Sequence, residues 1–424
     1  MIIYTVAPGD TLASISARFG VPAERIALDN DIPPDRLSVG QALVIAYHSR
    51  VHTVVPGDSL WSVAARWGVT VDQLWRNNPI LGGGAELYPG QTLVIAFADE
   101  KRGSLETLGY VYTFVDRDVL RKTLPYLTYL AIFSYGIRAD GSLVVPDDAE
   151  LIALAREYGA KPMLVLTSLG DDGRFSTETV SAVLNDEAAK SALIDSIADT
   201  MDRKGYDAIN SDFEYIPPED REAYTDFIAR LRAELAPLGK TVDVSLAPKT
   251  SGDQPGLLYE AMDYPALGAA ADTVFLMTYE WGYTYSEPRA VAPINLVGDV
   301  VDYAVSVIPR EKIRMGMPNY GYDWRLPWVE GEAAFSLSNS AAIALANESG
   351  AEILFDEVAA TPYFRYSDDG GGRHEVWFED ARSVDAKLAL AASEGLRGVG
   401  IWNATRWFAQ LWFVLNVLYD IRRN

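Results

Sequence analysis

The chain contains no cysteine. Disulfides, thiolate nucleophiles, zinc ribbons and iron–sulfur clusters are therefore excluded. Histidine is almost as scarce, with only His48, His52 and His374 in 424 residues. Two stand near the N-terminus and one late in the chain. This all but excludes a three-histidine zinc site and leaves a Ser–His–Asp triad at most one base. Positive charge is in deficit, 36 Lys and Arg against 59 Asp and Glu, for a formal net charge of −23. Such a field repels polyphosphates and argues against nucleic acid as a partner. Long hydrophobic runs are missing as well. The longest, Trp407–Tyr419, is broken by Gln410 and Asn416. It is too short and too polar to span a bilayer and reads as a terminal core helix, so no membrane partner is expected. Residues 1–6 (MIIYTV) show no basic segment followed by an apolar run, and no cleavable signal peptide is expected. Leu238–Thr241 (LGKT) lacks the first glycine of a phosphate loop, because Glu234 holds that place. Catalysis must rest on carboxylates, tyrosines and amides, with no metal and no cofactor called for.

What is present is a composition of ordinary globular type, 49% apolar and 22% charged, long enough for two to four domains. It opens with a repeat. YTVAPGDTL at 4–12 returns as HTVVPGDSL at 52–60, and VGQALVI at 39–45 returns as PGQTLVI at 89–95. The second copy is longer around Gly82–Gly84. Repetition of this kind marks two copies of one small module. Within each, a short extended segment meets a Pro-Gly turn, and Asp10 or Thr11 can cap a helix carrying Leu12, Ile15 and Phe19. A second short helix begins near Pro22, and Ala42–Ile45 closes a two-stranded sheet.

This βααβ pattern resembles the LysM domain, at residues 2–46 and 51–97. The resemblance implies binding of N-acetylglucosamine-containing glycans, between the loop after the first strand and the loop before the second. The implied positions are Gly9, Asp10, Thr11, Leu12, Asn30 and Ile32 in the first copy. In the second they are Gly57, Asp58, Ser59, Leu60, Asn78 and Ile80. Ala13 stands in the first copy where the second has Trp61, which would weaken or reorient packing there.

Residues 98–104 read as a polar linker. Beyond it, strand-like runs alternate with helical patterns: 108–114, 128–135, 162–169, 208–216, 242–247, 274–281, 313–318 and 398–402. Eight such strands predict an α/β fold, a parallel (β/α)8 TIM-type barrel over 105–424. The segment 327–379 is too long for one helix and reads as a small α+β insertion after the seventh strand. Within it, His374 beside Gly370–Gly372 reads as an exposed hairpin-loop residue.

The fourth strand carries the chemistry. In YDAINSDFEYI (206–216), alternation puts Asn210, Asp212 and Glu214 on one face, with Ile209, Ser211 and Phe213 on the other. The mostly apolar set suits the surrounding helices, so the polar set must climb the barrel interior towards its C-terminal mouth, where such barrels place their reacting groups. The segment resembles the Asp-x-x-Asp-x-Asp-x-Glu signature of glycoside hydrolase family 18. Asp207, Asp212 and Glu214 match, and Asn210 replaces the second aspartate. Met277–Trp281 (MTYEW) resembles the family's Met-x-Tyr-Asp segment, with Glu280 for Asp, and Trp402 matches the tryptophan flooring the sugar site.

The resemblance implies a retaining, substrate-assisted mechanism. Glu214 would be acid and then base. Asp212 would orient the acetamido N–H, Tyr279 would align its carbonyl, and Asn210 would donate to Asp212 and favour its ionised form. Asp207, of the wrong parity, is expected to fix the strand's start. Tyr135 and Tyr320 at strand ends, Glu280, and Trp324 (with Trp328) are candidates to line the sugar cleft. Two LysM modules before such a barrel resemble the spore germination hydrolases of endospore-forming bacteria, which cleave cortex peptidoglycan at N-acetylglucosamine linkages. That implies peptidoglycan or another N-acetylglucosamine-containing glycan as partner, and a location in the spore coat or cortex or at the cell wall. A chitinase and a non-catalytic glycan-binding coat protein are the alternatives. Nothing in the sequence sets an oligomeric state.

Overall fold

Each repeat folds as its pattern requires. In the computed structural model, which describes residues 1–33, 36–170 and 173–423, strand Ile2–Thr5 pairs antiparallel with Ala42–Ile45. Helices Leu12–Phe19 and Ala23–Asn30 lie between them. Strand His48–Thr53 pairs likewise with Thr92–Phe97 around helices Leu60–Trp67 and Val71–Asn77. Thr11 caps the first helix of its module and Ser59 its counterpart, each in a reciprocal pair with the serine three residues on, Ser14 or Ser62. Asp10 instead fastens the turn, accepting from the Ala7 N–H at 2.8 Å and the Tyr4 hydroxyl at 2.6 Å. Asp58 does the same for Val55 and His52. Leu12, Ile15, Leu43 and Ile45 make one module core; Leu60, Val63, Leu74 and Leu93 make the other.

Eight parallel strands then close into a barrel. In chain order they are Gly103–Tyr112, Tyr129–Ile137, Lys161–Leu166, Ala208–Ser211, Thr241–Leu246, Thr273–Leu276, Ile313–Pro318 and Gly398–Trp402. Each pairs with the next, and the eighth returns to the first. The first strand begins earlier than its apolar run suggests. Gly103 and Ser104 leave the linker and pair with Tyr419 and Asp420 of a terminal strand. The insertion also starts earlier, at Gly321, directly after strand seven. Five antiparallel strands, Gly321–Leu326, Phe335–Leu337, Leu354–Asp356, Thr361–Ser367 and Arg373–Trp377, pack on helix Asn339–Ser349. His374 sits on the last of these strands rather than in a loop. It is half-buried, its Nδ1 lies 2.8 Å from Asp323, and its ring stacks on Tyr366.

The run Trp407–Tyr419 contains helix Ala409–Leu418, with every one of its residues buried. A helix apolar all round needs covering on all sides. The barrel covers one side and the two modules cover the other. The two polar residues that break the run make the joint. Gln410 donates to Asn30 (3.0 Å) and the Ala42 carbonyl (2.7 Å) of the first module, and accepts from Ala381 of the barrel at 2.8 Å. Asn416 donates to Asn77 of the second module at 2.9 Å and accepts from Arg76 at 3.2 Å. The modules are thus docked on the barrel, not strung from it.

Two outcomes follow. Gln410→Ala leaves the Ala381 N–H and the Ala42 carbonyl buried and unpaired, so it should lower stability by about 2–4 kcal/mol, read as a lower thermal midpoint. Removing residues 1–97 uncovers the outer face of the helix, and the remaining barrel should self-associate in size-exclusion chromatography. An unchanged midpoint and a monodisperse truncated barrel would show that the docking is incidental.

Candidate active site and glycan-facing surfaces

The alternation in the fourth strand holds. Ile209 and Phe213 face outward, Phe213 against Tyr224 and Phe227. Ser211 shares a 3.0 Å hydrogen bond with Tyr224. Regular pairing stops at Ser211, although the Asp212 N–H still reaches the Leu166 carbonyl at 2.8 Å. The chain then turns away through Tyr215, at φ 54°. Asp212 and Glu214 therefore project where the barrel opens, into a cavity of about 630 Å³. Trp402 stands in its wall with Tyr110, Tyr112, Phe133 and Tyr279. A side chain at position 316 would place its Cβ 2.8 Å from the Tyr279 ring, so Gly316 makes room for that tyrosine.

Asn210 corrects one expectation. Its amide donates to Asp243 of strand five at 2.8 Å, not to Asp212, and its carbonyl accepts from Ser245 at 3.1 Å. An aspartate at 210 could donate to Asp243 only when protonated, and when ionised would set two carboxylates against each other; the amide donates at any pH. Asp243 is held in turn by Arg314 at 2.7 Å, and Arg314 also reaches Glu106 at 2.8 Å. The Ser245 hydroxyl also stands beside Asp212 and favours its ionised form.

Burial dominates the electrostatics. It pushes Glu214 up to about 8, helped by the negative charges of Asp212 and Glu280. It pushes Asp212 up to about 6, with Asp243 adding to the rise and Ser245 opposing it. Asp212 is therefore not held permanently ionised, as the sequence suggested. Tyr279 is raised well above its ordinary value by burial and by the nearby carboxylates, and stays a proton donor.

The remaining candidates divide. Glu280 lines the cavity, with its carboxylate held by the hydroxyls of Tyr320 and Tyr322. Tyr320 is thus buried behind Glu280 and not a wall of the cleft. Tyr135 is fully buried and donates to Asp148, which also accepts from Tyr206 and Lys204. Trp324 is 1% exposed, in the core under the insertion, with its indole N–H on the Ser286 carbonyl at 2.8 Å. Neither Tyr135 nor Trp324 lines the cavity. Asp207 lies at the strand's start beside Arg156, outside the cavity. The reading missed Asp243, Ser245 and Arg314. Their signal is the same alternation: Asp243 and Ser245 in strand five and Arg314 in strand seven are polar residues at inward parity between apolar neighbours.

The module positions divide too. Gly9, Thr11, Gly57 and Ile80 lie at module surfaces, and Asp10, Ile32, Asp58 and Ser59 are partly exposed, with Ile32 packed on the module core. Leu12 and Leu60 are core residues. Asn30 and Asn78 turn inward. Asn30 bonds the Ile26 carbonyl and both backbone groups of Val44; Asn78 bonds the Leu74 carbonyl and both groups of Val94. These two amides are consumed inside the fold and cannot contact a glycan from there.

Comparison with known proteins covers both parts of the chain. The pattern of "Glycosyl hydrolases family 18" matches residues 101–406, and that of the "LysM domain" matches residues 4–46 and 52–96. A cortical fragment-lytic enzyme of Bacillus subtilis (strain 168) is 41% identical, covering 99% of each chain. The crystal structure of the Bacillus megaterium QM B1551 spore cortex-lytic enzyme SleL superposes with a TM-score of 0.84 at 38% identity, covering 100% of this chain and 99% of that one. A chitinase from Chromobacterium violaceum superposes at 0.69 with 27% identity, over 74% of this chain and 98% of its own.

Glu214 supplies a test that does not depend on substrate. Its folded value lies above its unfolded one, so its contribution to stability is full below about 4.5 and is lost as pH rises towards 8. Glu214→Gln cannot ionise. Its stability relative to the wild type should rise between pH 5 and 8.5, by roughly 1–4 kcal/mol. A difference that stays flat with pH would show Glu214 to be ordinarily solvated.

Proposed function

We propose, from the premise that the chain belongs to glycosyl hydrolases family 18, that it hydrolyses N-acetylglucosamine linkages of spore-cortex peptidoglycan, with its LysM modules holding the glycan. The observation that carries this reading is the pairing of half-buried Glu214 and Asp212 with Tyr279 around one aromatic cavity. Similarity to cortex-lytic enzymes along the whole chain supplies the substrate class and a spore-associated location. Among the described residues no helix is long and apolar enough to cross a membrane.

The chemistry follows from the side chains. A sugar ring rests on Trp402 with its 2-acetamido group turned beneath it. Tyr279 donates to the acetamido oxygen and holds it against the anomeric carbon. Asp212, ionised at neutral pH, accepts the acetamido N–H and stabilises the positive charge that develops as the oxazolinium ring forms. Glu214, still protonated there, gives its proton to the departing glycosidic oxygen. It then removes a proton from the water that opens the ring. Two attacks at the same carbon retain the anomeric configuration. Glu280 also reaches the cavity, but its carboxylate is engaged by Tyr320 and Tyr322 and positions rather than attacks. A chitinase reading draws on the Chromobacterium relative. The extent of the cortex-lytic likeness favours peptidoglycan.

Glu214→Gln should lower turnover of cortex fragments by roughly 10²–10⁴-fold while leaving glycan binding intact. Tyr279→Phe should slow the chemical step by roughly 10–10³-fold. Product analysis by NMR and mass spectrometry should show retained configuration and N-acetylglucosamine at the new reducing ends. An inverted product, or a sugar ester on Asp212 or Glu214, would rule the mechanism out.

A further inference from the structure

The cleft does not end at Glu214. Glu214, Met277, Tyr279 and Glu280 also border a second cavity of about 480 Å³ on the side away from Trp402. Pro248, Tyr259 and Trp281 wall that cavity and also a third, of about 400 Å³. The three run in series, but their chemistry changes. The first is walled mainly by aromatic rings. The third presents Thr250, Ser251, Asp253 and Gln254, with no lysine or arginine in its lining. Leu296 and Val300, from the helix Ile294–Val307 of the outer ring, close its far side. It therefore opens towards the helical ring and not along the barrel mouth.

The loop bearing these residues is built to hold a shape. Lys249 is fully buried, and its ammonium donates to three carbonyls of the same loop: Gly252 at 3.1 Å, Tyr259 at 3.2 Å and Met262 at 3.0 Å. Gln254 accepts from the Thr250 N–H at 2.9 Å. A buried ammonium facing carbonyls of its own loop is expensive unless that loop keeps one conformation. It thereby presents the Asp253 carboxylate to solvent at the pocket rim.

Direction along the cleft follows from the reading above, on which this inference rests. The sugar aligned by Tyr279 lies over Trp402, and Glu214 protonates the oxygen leaving it. The leaving sugar therefore occupies the second cavity, and a substituent directed sideways from it enters the third. In a glycan that alternates N-acetylglucosamine with a lactyl-ether sugar, that leaving sugar is the one able to carry a peptide. We infer that the third cavity is a specificity pocket for the peptide branch of the leaving sugar. Two hydroxyls, an amide and one carboxylate, with no cation, suit the amides and ammonium of a short peptide.

The test compares glycan strands bearing peptides with the same strands trimmed by an amidase, using the full-length wild-type enzyme. kcat/KM should be roughly tenfold higher on the peptide-bearing strands, with the difference in KM. Asp253→Lys, an exposed change, should bring the ratio close to one. Equal wild-type rates on both strand forms overturn the pocket and leave the peptidoglycan reading intact. So does a preference that Asp253→Lys and the pocket-filling Ser251→Leu leave unchanged. Cleavage of chitooligosaccharides but of neither strand form overturns the reading beneath it.

Discussion

One buried guanidinium organises the barrel interior. Arg314, 1% exposed, stands on the seventh strand, bonds Asp243 of the fifth and Glu106 of the first, and donates to Thr273 of the sixth. Carboxylates at such depth are tolerable only when paired. With Asp243 so held, Asn210 can be an amide, Ser245 is oriented, and Asp212 sits above a defined floor. At the mouth, burial and neighbouring negative charge raise both carboxyls of the reactive pair. Placing the positive charge two layers down satisfies the structural acids and leaves the working acid protonated near neutrality.

Much of this was legible in the sequence because two periodicities are hard to mistake. The near-identical turns at Pro8 and Pro56 announced the modules. The two-residue alternation of strand four separated Asp212 and Glu214 from Ile209 and Phe213. Illegible were questions of which neighbour a polar atom chooses. Asn210 has two carboxylates within a strand's reach, and only the packing of strand five decides for Asp243. Tyr135 near the end of strand two and Trp324 just beyond strand seven are placed as cleft residues are, yet Asp148 and the Ser286 carbonyl draw them inward. An aromatic at a barrel mouth has two possible directions, and its sequence position does not choose between them.

The polar stretch 98–102 does link the modules to the barrel, with Gly103 and Ser104 taken into the first strand, but its sequence does not tell what the surfaces on either side meet. The surface that matters lies some three hundred residues further on, in a helix whose only polar residues, Gln410 and Asn416, each address one module. Those residues looked like interruptions of an apolar run, and in the fold they are its connectors.

That joint also orders events during synthesis. The modules emerge from the ribosome first, each with a core of its own, but the helix that seats them is made almost last. Through most of translation the faces bearing Asn30 and Asn77 lack the helix that joins them, and the growing barrel lacks the strand that closes it. Closure and docking therefore come together, when the final stretch of chain arrives. Premature termination before Gly398 yields a protein with two well-made modules, an open barrel edge and no seat between them. Such a chain presents unpaired backbone and apolar surface to chaperones and proteases at once.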